Sequence, residues 1–261
     1  MRNRNYLALC TRVGFAARGL LYIVLGLLVL NSGRIEGPDG VLRYLGSGFG
    51  KWLLVLMIVG FVGYGLWRLG DALFGTEHPG GDKKSLAERV GAGASALIHL
   101  FLAWQAVKLM TEAGRASGGS SASEQAEMIL DLPAGQLLLG AIALGLGIAG
   151  AMQLVKAVKC TFLADLDLRA QDDWVKWLGR AGYGARGIVF LLAAWFLLDA
   201  ALSGQSQDAA GIEQILAWLA SPMNLVVAAG LFLFGVYSLV EARYRRIHLP
   251  DIDRWAAEVR R

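Results

Sequence analysis

The chain has 261 residues, of which 56% are hydrophobic and only 18% charged, with a formal charge of +4. Globular domains carry about 25% charged residues, so this composition excludes a large soluble domain, and the basic excess has to be read by where it falls rather than as a nucleic-acid signature. The two cysteines, Cys10 and Cys160, offer neither a disulfide framework nor a zinc spacing.

A membrane span needs about 20 mostly apolar residues to cross roughly 30 Å of hydrocarbon. Six blocks meet that standard, at 13–31, 52–74, 90–110, 134–157, 181–202 and 222–241. The first opens on the octet RVGFAARG (12–19). Arg2 and Arg4 ahead of an apolar run resemble a signal peptide, but a matching octet opens an internal helix further on, which favours a retained span. A short amphipathic stretch, GVLRYL (40–45), precedes the second block, which closes on GLWRLGDA from Gly65. The turn-rich loop EHPGGDKKS (77–85) leads to the third block, opening on RVGAGASA (89–96). GRASGGSSAS (114–123) reads as a flexible insertion, and AEMILDL (126–132) as a second short amphipathic helix. The fourth block carries small residues four apart (Gly145 with Ala149, Ala143 with Gly147 and Ala151), a spacing that lets helices approach closely inside a bundle. It closes on GAMQLVKA from Gly150. The fifth opens on RAGYGARG (180–187), identical to the first octet at five of eight positions. GIEQILAWL (211–219) precedes the sixth, which closes on GVYSLVEA from Gly235.

The glycines that begin the three closing motifs, Gly65, Gly150 and Gly235, are 85 residues apart both times. One unit, two spans joined by a loop with a short interfacial helix, is therefore written three times: residues 1–75, 89–160 and 180–245, followed by a basic tail at 246–261. Two spans return the chain to the same side, so the units are parallel repeats about a pseudo-threefold axis along the membrane normal. Many alternating-access transporters use inverted repeats instead. Of the 25 lysines and arginines, only Arg34, Arg43, Lys51, Lys108 and Arg115 fall with the first, third and fifth loops. The other twenty lie on the opposite side, which by the positive-inside rule is cytoplasmic and holds both termini. Trp52, Trp67, Trp174, Trp177 and Trp255 fit an aromatic belt, and the tail is suited to lie along an anionic inner leaflet.

The R-x-G-[FY]-x-A-R-G octet, the G-x-[WY]-x-L-x-[DE]-A ending and the triplicated two-span unit resemble the bacterial membrane family called domain of unknown function 1206. The resemblance covers almost the whole chain and implies an all-α, six-span protein of a bacterial inner membrane. It implies no activity, and unit two departs from the octet with Ser95 and Ala96.

Arg18 and Arg186 sit six residues into their octets, about 9 Å deeper than Arg12 and Arg180. A charge at the bilayer centre costs at least about 2.5–3.5 kcal/mol, less near a helix end where Arg can snorkel. Helical side chains lean toward the N-terminus, over Gly14 and Gly182, which leave that path clear. The natural partners are the acids at the ends of the even spans. We expect Arg18–Asp71 and Arg186–Glu241 to clamp the two helices of their units. Unit two has Ser95 and Lys156 at these positions, so both partners change together. Local pairing of Arg68 with Asp71 and of Arg245 with Glu241, or contact of the arginines with lipid phosphates, are the competing readings.

His99 falls in the aromatic column of Tyr22 and Phe190 and reads first as a packed, hydrogen-bonded ring. His78 and His248 lie in loops. No cluster has metal-ligand spacing, and nothing resembles a nucleophile elbow or phosphate loop. The sequence therefore points to a non-enzymatic structural or interaction module without cofactors. Its expected partners are membrane lipids, with a protein partner or a second copy as further options and nucleic acid excluded. The alternative is a small-solute or ion channel or transporter along the pseudo-threefold axis or between repeats, which predicts a polar cavity faced by His99, Gln105 or Gln153.

Overall fold

The computed structural model describes residues 2–32, 50–75, 83–111 and 122–246. The stretch at 40–45, His78, His248, Trp255 and the tail from 247 lie outside them, as do the side chains of Trp52 and Gln105. The helices are α1 (Arg2–Ser32), α2 (Gly50–Phe74), α3 (Lys83–Thr111), α4 (Ala122–Leu130), α5 (Gly135–Lys159), α6 (Asp173–Ser203), α7 (Ile212–Leu219) and α8 (Met223–Tyr244). Six of them, α1, α2, α3, α5, α6 and α8, are long and apolar enough to cross a membrane. The short helices α4 and α7 stand where amphipathic stretches are expected. Ala122 and Ser123 belong to α4, so the Gly/Ser insertion ends sooner than its composition suggests.

The odd spans run past their apolar blocks. At 31 residues, α6 is about 46 Å long at 1.5 Å per residue, against roughly 30 Å of hydrocarbon. The surplus is its first two turns, DWVKWLG, where Trp174 and Trp177 are exposed. All three octets lie on one face of the bundle, beside the C-terminal ends of the even spans. We call it the octet face.

In lipid, burying an apolar side chain gains little, because the tails are as apolar as leucine. Close backbone approach and polar contacts hold such helices together instead. Two kinds of glycine contact do this. The first joins each odd span to the even span of the unit before it, taken cyclically. Gly19 of α1 packs on Gly235 of α8, Gly187 of α6 on Gly150 of α5, and Gly65 of α2 on Leu100 and Ala96 of α3. The second joins the two spans of one unit. A Cβ at Gly14 of α1 would lie 2.3 Å from Cβ of Tyr64 in α2, and one at Gly182 of α6 would lie 2.6 Å from Cα of Phe234 in α8.

The first kind occurs in all three units, the second in two. The counterparts in unit two, Gly91 of α3 and Gly145 of α5, have nothing within 4 Å of a built Cβ. Among the described residues α3 and α5 do not pack on each other. Adjacency runs α5, α6, α8, α1, α2, α3: a three-unit ring left open inside unit two. The open ends are the least covered spans, and Leu97 of α3 and Leu144 of α5 are exposed. The small residues of α5 divide accordingly. Gly147 faces Ala194 of α6 at 3.6 Å, whereas Gly145, expected inside the bundle, is uncovered. The main core lies between α1, α2, α8 and their neighbours and is filled by Leu21, Leu25, Met57, Phe61, Val189 and Leu231.

Candidate functional site

The polar centre of the molecule lies in the crease where α1 meets α8 and α2. Arg18 is 6% exposed there and Glu241 1%. The Arg18 guanidinium donates from Nε to Ser238 Oγ (3.2 Å), from Nη1 to the Tyr64 hydroxyl (3.1 Å) and from Nη2 to the Glu241 carboxylate. The rings of Phe15, Phe234 and Tyr64 surround it at 4.9, 5.1 and 5.4 Å. The other oxygen of Glu241 accepts from Arg245 Nη1 at 2.7 Å, and Arg245 Nη2 reaches Asp165 at 3.2 Å. Asp165 is held in turn by backbone bonds between the 165–167 segment and the end of α8: Arg246 N to Asp165 O and Asp167 N to Tyr244 O, both 2.9 Å. A buried charge is tolerable only when paired and hydrogen-bonded, and Arg18 and Glu241 meet that condition.

The expected pairs within units do not form. Arg18 pairs across units with Glu241, and Asp71 is held by Arg68 at 3.2 Å, three residues away on its own helix. Arg186 makes no ion pair among the described residues. Its guanidinium lies over Phe190, Phe234 and Tyr22 at 4.7, 4.9 and 5.8 Å. The reason is the packing register. Gly19 seats α1 on α8, and that contact brings Arg18 level with Ser238 and Glu241. On α2 the residue that Arg18 reaches is Tyr64, seven residues short of Asp71. In the same register Asp71 faces the helix that carries Ser95, and Arg186 faces the helix that carries Lys156. The joint change in unit two is therefore not a compensated pair.

The first arginine of the octet has a separate role. Arg12 Nη1 donates to the carbonyls of Ala242 (2.9 Å) and Arg243 (2.6 Å) at the end of α8. Arg89 donates from Nε to Ala72 O (2.9 Å) and from Nη2 to Leu73 O (2.6 Å) at the end of α2. These are equivalent positions, and each arginine caps the helix it packs against, where terminal carbonyls lack partners and carry partial negative charge. In the third copy the equivalent carbonyls, of Ala157 and Val158, have the Cys160 thiol at 3.8 and 3.9 Å, while Arg180 lies over Trp177. Sequence reasoning missed this cap. The signal was an arginine opening all three octets, including the one that lost its deeper arginine. It also missed Ser238 and Tyr64, polar groups inside otherwise apolar spans.

His99 is the packed ring that its column suggests. Its Nδ1 lies 2.7 Å from Ser95 O one turn earlier, and the Tyr64 ring centre lies 4.4 Å away. Gln153 is half-buried, and its Oε1 has no hydrogen-bond partner. Trp67 is not in an interfacial belt: it is 3% exposed and packs against Phe15 and Tyr64. No group of three metal-ligating side chains is found among the described residues.

Similarity to known proteins matches this layout. The profile of a Domain of Unknown Function (DUF1206) matches three segments, 13–75, 90–159 and 181–245, one for each two-span unit. The chain belongs to the DUF1206 family. This DUF1206 protein is also 29% identical over 250 residues to the Uncharacterized protein YxxB of Bacillus subtilis (strain 168), with 90% of each chain covered. No solved structure matches it.

Proposed function

We propose that this DUF1206 protein is a non-enzymatic membrane module of the bacterial inner membrane, with both termini cytoplasmic and the octet face against the anionic leaflet. The observation that carries this reading is the use of the charges that stand at its helix contacts. Arg18, Glu241, Arg12 and Arg89 all hold one helix to another, and none lines the groove between α5 and α6. The groove between α5 and α6 is lined by Leu137, Leu144, Leu198 and Leu202, with Gln136 its one polar side chain, and includes neither His99 nor Gln153.

The unpartnered atoms of Gln153 and Arg186 favour a second reading, a path for ions or small solutes. Against it stands the apolar core, which fills the bundle between the octet face and the opposite side with Leu25, Met57, Phe61 and Leu231. Reconstitution into liposomes separates the two. The module reading expects ion and small-solute leak no greater than in protein-free liposomes, and crosslinking in native membranes that captures lipid or a protein neighbour. A leak that needs the protein and changes with Gln153→Leu refutes it in favour of the channel.

A further inference from the structure

The internal repeat supplies its own reference for judging each buried charge. At the interface of α1 with α8, Arg18 has three acceptors: Ser238, Tyr64 and Glu241. The interface of α6 with α5 is its counterpart, built on the same glycine contact, with Arg186 in the place of Arg18. There the position of Glu241 is Lys156, that of Tyr64 is Phe234 and that of Ser238 is Gln153. The carboxylate and both hydroxyls are gone.

What remains is unsatisfied. Arg186 Nε is buried without an acceptor, and so is Gln153 Oε1 without a donor. Lys156 makes no ion pair among the described residues. Its Nζ stands 6.0 Å from the ring centre of Tyr183, one turn before Arg186 on α6. The nearby carboxylates are already engaged: Glu241 by Arg18 and Arg245, Asp165 by Arg245. One interface thus balances an arginine with a carboxylate, while its counterpart carries two cations, Arg186 and Lys156, at the equivalent positions and supplies no anion. Ring faces alone offset a guanidinium only in part.

We propose that the α5–α6 interface binds a phosphate-type oxyanion where the α1–α8 interface holds the Glu241 carboxylate. Arg186 supplies a planar fork that matches a pair of phosphate oxygens, and Lys156 supplies a point charge. The Gln153 amide turns its NH2 toward the anion, an orientation that its partners decide. Lys156 lies in the last turn of α5, at the octet face, so the site opens at headgroup depth, with Arg186 further in. The oxyanion can therefore come from a lipid headgroup or from free phosphate.

The test uses the full chain in phosphate-free maltoside micelles, with unfolding followed by tryptophan fluorescence. One arm titrates inorganic phosphate at constant ionic strength, and the other adds phosphatidylglycerol to the micelles. The unfolding temperature of the unaltered protein rises saturably in at least one arm, and the arm that responds names the source. Lys156→Glu rebuilds the internal carboxylate, so this variant starts higher and loses the response. Arg186→Gln loses the response without the higher start, and serves alone where Lys156→Glu does not fold. No rise in either arm overturns the site, as does a response retained in both variants.

Discussion

Alanine substitution at two equivalent glycines tests the open ring directly. At Gly14 the new Cβ would lie 2.3 Å from Cβ of Tyr64 and 2.7 Å from the Gly60 carbonyl oxygen. Carbon atoms pack best at about 3.5–4.0 Å, so α1 and α2 must part by over an ångström or tilt. Overpacking of this kind costs about 1–3 kcal/mol. At Gly91, the same position in unit two, nothing lies within 4 Å. Both substitutions gain the same helix preference of alanine over glycine, about 0.8–1.0 kcal/mol, so the gain cancels in the comparison. Gly14→Ala is therefore less stable than Gly91→Ala by about 1–3 kcal/mol, with Gly91→Ala at or slightly above the unaltered protein. Steric-trap or denaturant unfolding in bicelles reads this difference. Equal damage at the two positions would show that α3 is covered on its Gly91 face, and the open ring would be wrong.

The clamp yields a larger effect. Glu241→Gln leaves the buried Arg18 charge without its anionic partner and destabilises by about 3–5 kcal/mol, read in the same unfolding assay, and Arg18→Gln destabilises by less, because Glu241 keeps its pair with Arg245. Arg18→Lys recovers little of this, because one ammonium cannot serve Ser238, Tyr64 and Glu241 from three directions. Removing a cap costs less: Arg12→Ala and Arg89→Ala each lower stability by about 1 kcal/mol, whereas Arg180→Ala, which caps nothing, has no comparable effect. A reversed order, with Arg180 the most sensitive, contradicts the capping role. Reporter fusions at residues 1 and 261 both read as cytoplasmic, and an outward-facing C-terminus overturns the proposed orientation.

Much of the fold was legible because the membrane constrains sequence so directly. Six apolar blocks and the 85-residue spacing of Gly65, Gly150 and Gly235 are statements about length and period, and bilayer thickness fixes the length. The partners of the charges were not legible in the same way. The repeat tells which residues are equivalent, but not whether an odd span turns a given face to its own even span or to its neighbour's. Both faces of α1 carry glycine, Gly14 on one and Gly19 on the other, and Arg18 points into the crease between the two contacts. Proximity in sequence favoured Asp71, and the depth of docking selected Glu241. Trp67 misled for a related reason. It stands near the end of its block, where an interfacial tryptophan belongs, yet its helix is flanked on both sides, by α1 and α3.

Unit two departs from the pattern at each of these levels. It keeps Arg89 as a cap and its glycine contacts to the flanking units, which are the interactions that join it to the rest of the chain. It lacks the deep arginine and the acid, and its two spans stand apart. Six helices in a ring have six possible contacts, and five suffice to hold them as one body. The sixth, between α3 and α5, is the one that can be omitted without detaching a helix, because each of these spans is already seated on a neighbour through Gly65 or Gly150. The same cyclic register explains the charge pattern. A residue lost from α3 leaves Asp71 to its local partner Arg68, and a lysine gained on α5 leaves Arg186 without a carboxylate. A break within one repeat thus perturbs the charges of the two flanking interfaces and spares the third, where Arg18 and Glu241 remain paired.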